Sequence, residues 1–143
     1  MTKQEYQYIR NLAWDLLIDS NASSLPVNIL SVATIYGLGQ LVDNNKSLYE
    51  NALSVSDGIL KVFGLNTKIS LYLAVRILAP IIVLNELNVK SAKEISDLTK
   101  LPIDIATQRY ERLLMLQKRN AFGVSRLENM VLSQFKEWIS RSC

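Results

Sequence analysis

Residues 67–87 read TKISLYLAVRILAPIIVLNEL, the longest apolar run in the chain. Leu71, Ala74, Val75, Leu78, Ile81 and Ile82 recur at spacings of three and four, which gathers them on one face of an α-helix, with Arg76, Asn85 and Glu86 at polar positions. Pro80 has no amide hydrogen, and its ring meets the carbonyl four residues back. A kink or break is therefore expected between Leu78 and Ile81. The uninterrupted part, 77–83, is too short for a bilayer, and Lys68, Arg76, Asn85 and Glu86 flank it. The stretch reads as the core helix of a globular protein, with no membrane partner.

The chain around it has 143 residues, the size of one domain, which on folding withdraws roughly 70% of its surface from water. Hydrophobic residues make up 49% and charged residues 20%, with both signs present, as in soluble globular proteins. The opening MTKQEYQYIR carries no apolar signal region, and a cytoplasmic location is expected. The single cysteine, Cys143, allows no internal disulfide and suits a frayed end in a reducing compartment. There is no histidine. That removes the usual general base, the usual zinc ligand and the Ser/His and Cys/His nucleophile pairs together. The net charge is +3, but between Ile105 and Arg126 five cations (Arg109, Arg112, Lys118, Arg119, Arg126) face one acid, Glu111. A basic surface is expected there.

Upstream, residues 3–18 read as an amphipathic helix burying Tyr6, Ile9, Ala13, Leu16 and Leu17, with Trp14 at its edge. Pro26 suits a first helical turn, opening a short helix through Ile29, Leu30, Ala33 and Tyr36 that Gly37 ends. Residues 38–42 read as a strand, and Asp43, Asn44, Asn45 and Lys46 as a turn opening a mobile polar segment to Asn51. ALSVS and ILKVF flank Asp57-Gly58, the pattern of a β-hairpin, with 38–42 as a third strand and 67–87 packed on one face. Asn66 or Thr67 is placed to cap that helix.

Downstream, Ser91 and Glu94 form the S-x-x-E signature of a helix start, followed by AKEISDLTK with Ala92, Ile95 and Leu98 facing inward. Leu101-Pro102 breaks the chain. A helix over 103–119 follows, with Ile105, Ala106, Tyr110, Leu113, Leu114 and Leu116 apolar, then a loop over 120–124 containing Gly123. Ser125 and Glu128 open a last helix carrying Leu127, Val131, Leu132, Phe135 and Trp138. The fold class is α+β: a mostly helical single domain with a small two- or three-stranded antiparallel sheet and a helix-turn-helix-like unit. Residues 1–66 supply N-terminal helices and sheet, and 67–143 the helical C-terminal part.

Three blocks, SLPVNILSVATIYGL at 24–38, RILAPIIVLNELNVKSAKEISDLTKLPIDIATQRYERL at 76–113 and VSRLENMVLSQFKEWI at 124–139, resemble the ImmA/IrrE-type metallopeptidase domains of bacteria and their phages. That family's chemistry needs HExxH on a helix, two imidazoles holding zinc with a glutamate as general base, and an acidic third ligand. Here the matching positions hold Val75, Arg76 and Ala79, or, in the other register, Ile69 stands at the acidic ligand with the HExxH helix deleted. The resemblance thus implies a pseudo-metallopeptidase without zinc, other cofactor or catalytic residues. It implies a non-catalytic, protein-binding regulator of phage or mobile-element origin, acting on a helix-turn-helix repressor in antirepressor fashion or on another host protein. Scattered acids with no paired motif, and dispersed glycines, point to no replacement chemistry.

Two surfaces are then candidates for binding. One is the centre left by the zinc cleft, at Ile69, Tyr72, Val75, Arg76 and Ala79, where an exposed apolar patch would also permit homo-oligomer formation. The other is the basic side of the 103–119 helix, at Gln108, Arg109, Arg112, Lys118 and Arg119. In the alternative reading, a DNA-binding transcriptional regulator, the 91–119 unit enters a major groove with Thr107, Gln108, Arg109 and Arg112 outward. Against it stand Asp104, which faces the phosphates, and the apolar residues that occupy much of the helix.

Overall fold

The computed structural model describes residues 1–122 and 125–142. Among them there are eight α-helices: α1 (Lys3–Asp19), α2 (Ile29–Thr34), α3 (Leu48–Val62), α4 (Ser70–Leu78), α5 (Ile81–Glu86), α6 (Ala92–Thr99), α7 (Ile103–Lys118) and α8 (Arg126–Ser142). Short 3-10 turns occupy Gly39–Leu41 and Thr67–Ile69. Gly123 of the expected loop, and the terminal Cys143, lie outside the described residues.

No strand exists among the described residues, so the expected α+β class is corrected to all-helical. The expected hairpin is α3. Its buried residues, Asn51, Ala52, Val55, Ser56, Ile59 and Leu60, follow the helical repeat rather than the alternation of a strand. Ser47 starts it with a full capping box, accepting from the Glu50 amide while the Glu50 carboxylate accepts from the Ser47 amide. Asp57 pairs with Lys61 one turn on, at 2.9 Å. Gly58 sits inside the helix because a Cβ there would meet Leu41 Cδ1 at 2.7 Å and Leu38 Cδ1 at 3.2 Å. The expected third strand is the 3-10 turn that lays those two leucines on α3. Residues 43–46, expected to be mobile, are seated by Asn51, whose side chain accepts from the Asp43 amide at 2.9 Å and donates to the Asp43 carbonyl at 3.0 Å.

The central stretch breaks where Pro80 requires. α4 ends at Leu78, Ala79 leaves the helical region at φ −129° and ψ 70°, and α5 restarts at Ile81. By length and composition alone Thr67–Glu86 would suit a membrane span, yet the chain uses it as two short helices with Leu73, Ala74, Ile77, Leu78 and Ile81 to Leu84 in the core. Of the face expected to be buried, Ala74, Leu78, Ile81 and Ile82 are in the core. Leu73 and Ile77 take core places, and Leu71 and Val75 are left toward the surface. Upstream, α2 starts at Ile29 rather than in a turn at Pro26, and Asn28 caps it by accepting from the Ser31 amide at 3.3 Å.

α4 packs on α1 and α3, α1 also carries α8, and α5 touches both α7 and α8. Gln134 of α8 donates to the carbonyls of Leu17 (3.0 Å) and Ala22 (2.9 Å), closing the end of α1. Fully buried Leu16, Leu17, Leu60, Leu73, Leu84 and Phe135 form one core. The α6-turn-α7 unit stands where expected. Lys100 takes the left-handed conformation that ends α6, Ser96 donates to the Leu101 carbonyl at 2.7 Å, and Thr99 accepts from the Leu101 amide. α7 leans on α5 and α6, while α4 leans on α1 and α3, so the two helices splay apart.

Candidate functional site: a cationic cleft between α1, α4 and α7

The splay leaves a cleft of about 410 Å³. Ile69, Leu71, Tyr72, Val75 and Arg76 form one wall, and Ile105, Gln108, Arg109 and Arg112 the other. A second hollow of about 660 Å³ shares Tyr72, Arg76 and Arg112 with it and runs on along α1 past Lys3, Tyr6 and Arg10. Neither hollow has an aspartate or glutamate among its described lining residues, whereas Lys68 stands at one end and Lys3 and Arg10 at the other. The two hollows thus adjoin at Tyr72, Arg76 and Arg112, with aliphatic side chains in the first and cations lining both.

Arg109 lies at its base and is only 8% exposed. The stripe Ala106, Arg109 and Leu113 is the buried side of α7, so helical geometry carries the guanidinium inward. It reaches across the splay to the α4–α5 break, where Nε and Nη2 donate to the Ala79 carbonyl at 2.9 and 2.7 Å. A carbonyl stranded between two helices is thereby satisfied by a charged donor. Burial first, and then the guanidinium of Arg76, push Arg109 down to about 9, so it remains a cation at neutral pH.

Arg76 stands above it, half-buried. Its Cζ lies 4.5 Å from the Tyr72 ring centroid, and Nη2 donates to the Tyr72 hydroxyl. Tyr6 meets Tyr72 edge to face at 4.9 Å and steadies that ring. The Nε of Arg76 is buried without a partner. Burial lowers the Arg76 pKa, opposed by the interaction with Tyr72 and assisted by the charges of Arg10 and Arg112. Arg112 is exposed and faces the same space.

Of the ten residues expected at binding surfaces, Ile69, Tyr72, Val75, Arg76, Gln108, Arg109 and Arg112 come together around this cleft. Ala79 is buried behind it and takes part through its carbonyl. Lys118 and Arg119 lie at the far end of α7, away from it. The expectation that Arg109 faces outward is corrected: it belongs to the buried stripe and cannot reach a nucleic-acid groove. Thr107 and Gln108 are exposed, and Thr107 bonds back to the Ile103 carbonyl at 2.7 Å. Residues the sequence did not mark for binding are Lys3 and Arg10 of α1, Lys68 just before α4, and Tyr6, expected in the core but exposed; the packing of α1 on α4 brings the α1 residues there. No group of three or more potential metal ligands occurs among the described residues. The cleft can therefore attract, orient and desolvate an anion, and a guanidinium charged at neutral pH offers it donors without taking its proton. The expected small sheet is absent among the described residues, and comparison with known protein families, curated proteins and solved structures finds no match.

Proposed function

We propose that this protein is a non-catalytic, protein-binding regulator whose groove between α1, α4 and α7 receives an acidic segment of its partner. The observation that carries this reading is a groove lined by several cations and no described carboxylate, two of the cations half-buried or buried. Lone cations on a surface are ordinarily interleaved with acids. Cations kept together in a concavity repel one another and lose hydration, a cost that a bound anion offsets. Aliphatic Ile69, Leu71, Val75 and Ile105 beside them suit apolar side chains of the same segment. A helix-turn-helix repressor, the partner implied by the resemblance to ImmA/IrrE domains, would serve if it presents such a segment.

Labelled decapeptides rich in glutamate and interspersed with leucine test this by fluorescence polarisation. Some should bind at low salt, weaken as salt rises from about 50 to about 300 mM, and lose binding to the Arg76→Ala/Arg112→Ala protein. If no acidic decapeptide binds at the lowest salt, the reading fails. If duplex DNA binds instead and depends on the same two arginines, the nucleic-acid alternative replaces it.

A further inference from the structure

We infer that the groove holds one doubly charged group at its centre, a phosphorylated side chain of the partner segment, seated between Arg76 and Arg112 with Arg109 beneath. This rests on the proposed function and specifies the ligand within it. The first ground is charge. Three guanidinium groups line one cleft of about 410 Å³, and no carboxylate lines it among the described residues. Arg109 spends two donors on the Ala79 carbonyl, a neutral acceptor, so its charge stays uncompensated. Arg76 spends one donor on the neutral Tyr72 hydroxyl and leaves Nε with no partner.

A carboxylate brings one negative charge to such a site, while a phosphate monoester brings close to two above its second pKa of about 6. In a partly desolvated cleft each added charge counts for more than in water. Arginine also matches phosphate geometrically, because its planar fork donates two parallel bonds. The repulsion that Arg10 and Arg112 exert on Arg76, and that Arg76 and Arg112 exert on Arg109, is the field a dianion would relieve.

The second ground is shape. Leu71, 41% exposed, and Val75 line the approach, so the phosphoryl group would arrive on an apolar arm. The adjoining hollow of about 660 Å³, lined by Lys3 and Arg10 of α1, gives room for more of the ligand than its phosphoryl group. The occupant is therefore a peptide segment rather than a free metabolite.

Phosphotyrosine and sulfotyrosine within one otherwise identical acidic decapeptide make the decisive pair, since the two groups have one shape and differ in charge. Isothermal titration at pH 7.5 should show the phosphorylated peptide bound about tenfold more tightly than the sulfated one. The preference should vanish at pH 5, where the phosphate is a monoanion. Arg76→Ala, which removes one of the charges that favours the dianion, should abolish most of that preference while leaving the protein folded by circular dichroism. Equal binding of the two peptides at pH 7.5 would overturn the inference, and so would free phenyl phosphate binding as tightly as the phosphorylated decapeptide. If glutamate-rich peptides still bind in that event, the proposed function stands without the phosphate. If no anion binds, both fall.

Discussion

Two arginines that line one cleft, Arg76 of α4 and Arg109 of α7, occupy contrasting places. At the α4–α5 break, Arg109 is sealed in and spends Nε and Nη2 on one carbonyl. In the cleft just above, Arg76 is half-buried, holds a phenol with one nitrogen, and has a second nitrogen unpartnered. The first guanidinium spends its hydrogen bonds within the fold, although its charge is left unpaired, and the second keeps donors unspent. The difference teaches how to separate a structural cation from a recognition cation inside one cluster: burial and the hydrogen-bond ledger of each guanidinium decide, since charge alone would class them together.

Replacing Arg109 by methionine should do the most damage to the fold. The Ala79 carbonyl would be left buried and unpaired, at a cost of about 2 kcal/mol in urea unfolding. Arg109→Lys, which keeps charge but cannot fork, should cost less. A stable Arg109→Met protein with wild-type unfolding would erase the contrast between the two arginines. Smaller, and aimed at the helix that replaced the expected hairpin, is Ser47→Ala. It removes the Ser47 Oγ that accepts from the Glu50 amide, the side-chain half of the α3 capping box, and should cost about 1 kcal/mol, whereas in a hairpin Ser47 would be a loop residue with almost no effect. Smallest is Arg112→Ala. This exposed side chain has no protein partner among the hydrogen bonds and ion pairs described, so stability should change by less than about 0.5 kcal/mol while anion binding weakens.

Much of this molecule is written in local signals. The Pro80 break, the α6-turn-α7 unit with its Ser91 cap, and the Ser125 start of α8 all follow from residues within one turn of each other. The same signature stands at Ser47 and Glu50, but Asp57-Gly58 and the alternation of ALSVS point to a hairpin with equal local force. What settles the competition is tertiary. Leu38 and Leu41 lie where a side chain at Gly58 would be, and the buried set recurs at three and four rather than two. A glycine needed for close approach looks, in sequence, like a glycine needed for a turn.

The cleft was half legible. Tyr72, Arg76, Gln108 and Arg112 come from two stretches the sequence marks, but their meeting depends on α4 and α7 leaning on different neighbours. Arg109 carried a signal in its place between Ala106 and Leu113 on an apolar stripe. Its acceptor, however, is a carbonyl thirty residues earlier, freed by a proline. No spacing rule connects the two. The contribution of Lys3, Tyr6 and Arg10 required knowing that α1 packs on α4.

The most direct measurement pairs stability with binding in a single double variant, Arg76→Ala/Arg112→Ala, titrated with the acidic decapeptides and unfolded in urea beside the unaltered protein. The account predicts loss of at least tenfold in affinity with the unfolding midpoint nearly unchanged, because these two side chains serve the ligand and Arg109 serves the fold. Unchanged affinity in a normally folded double variant would contradict it.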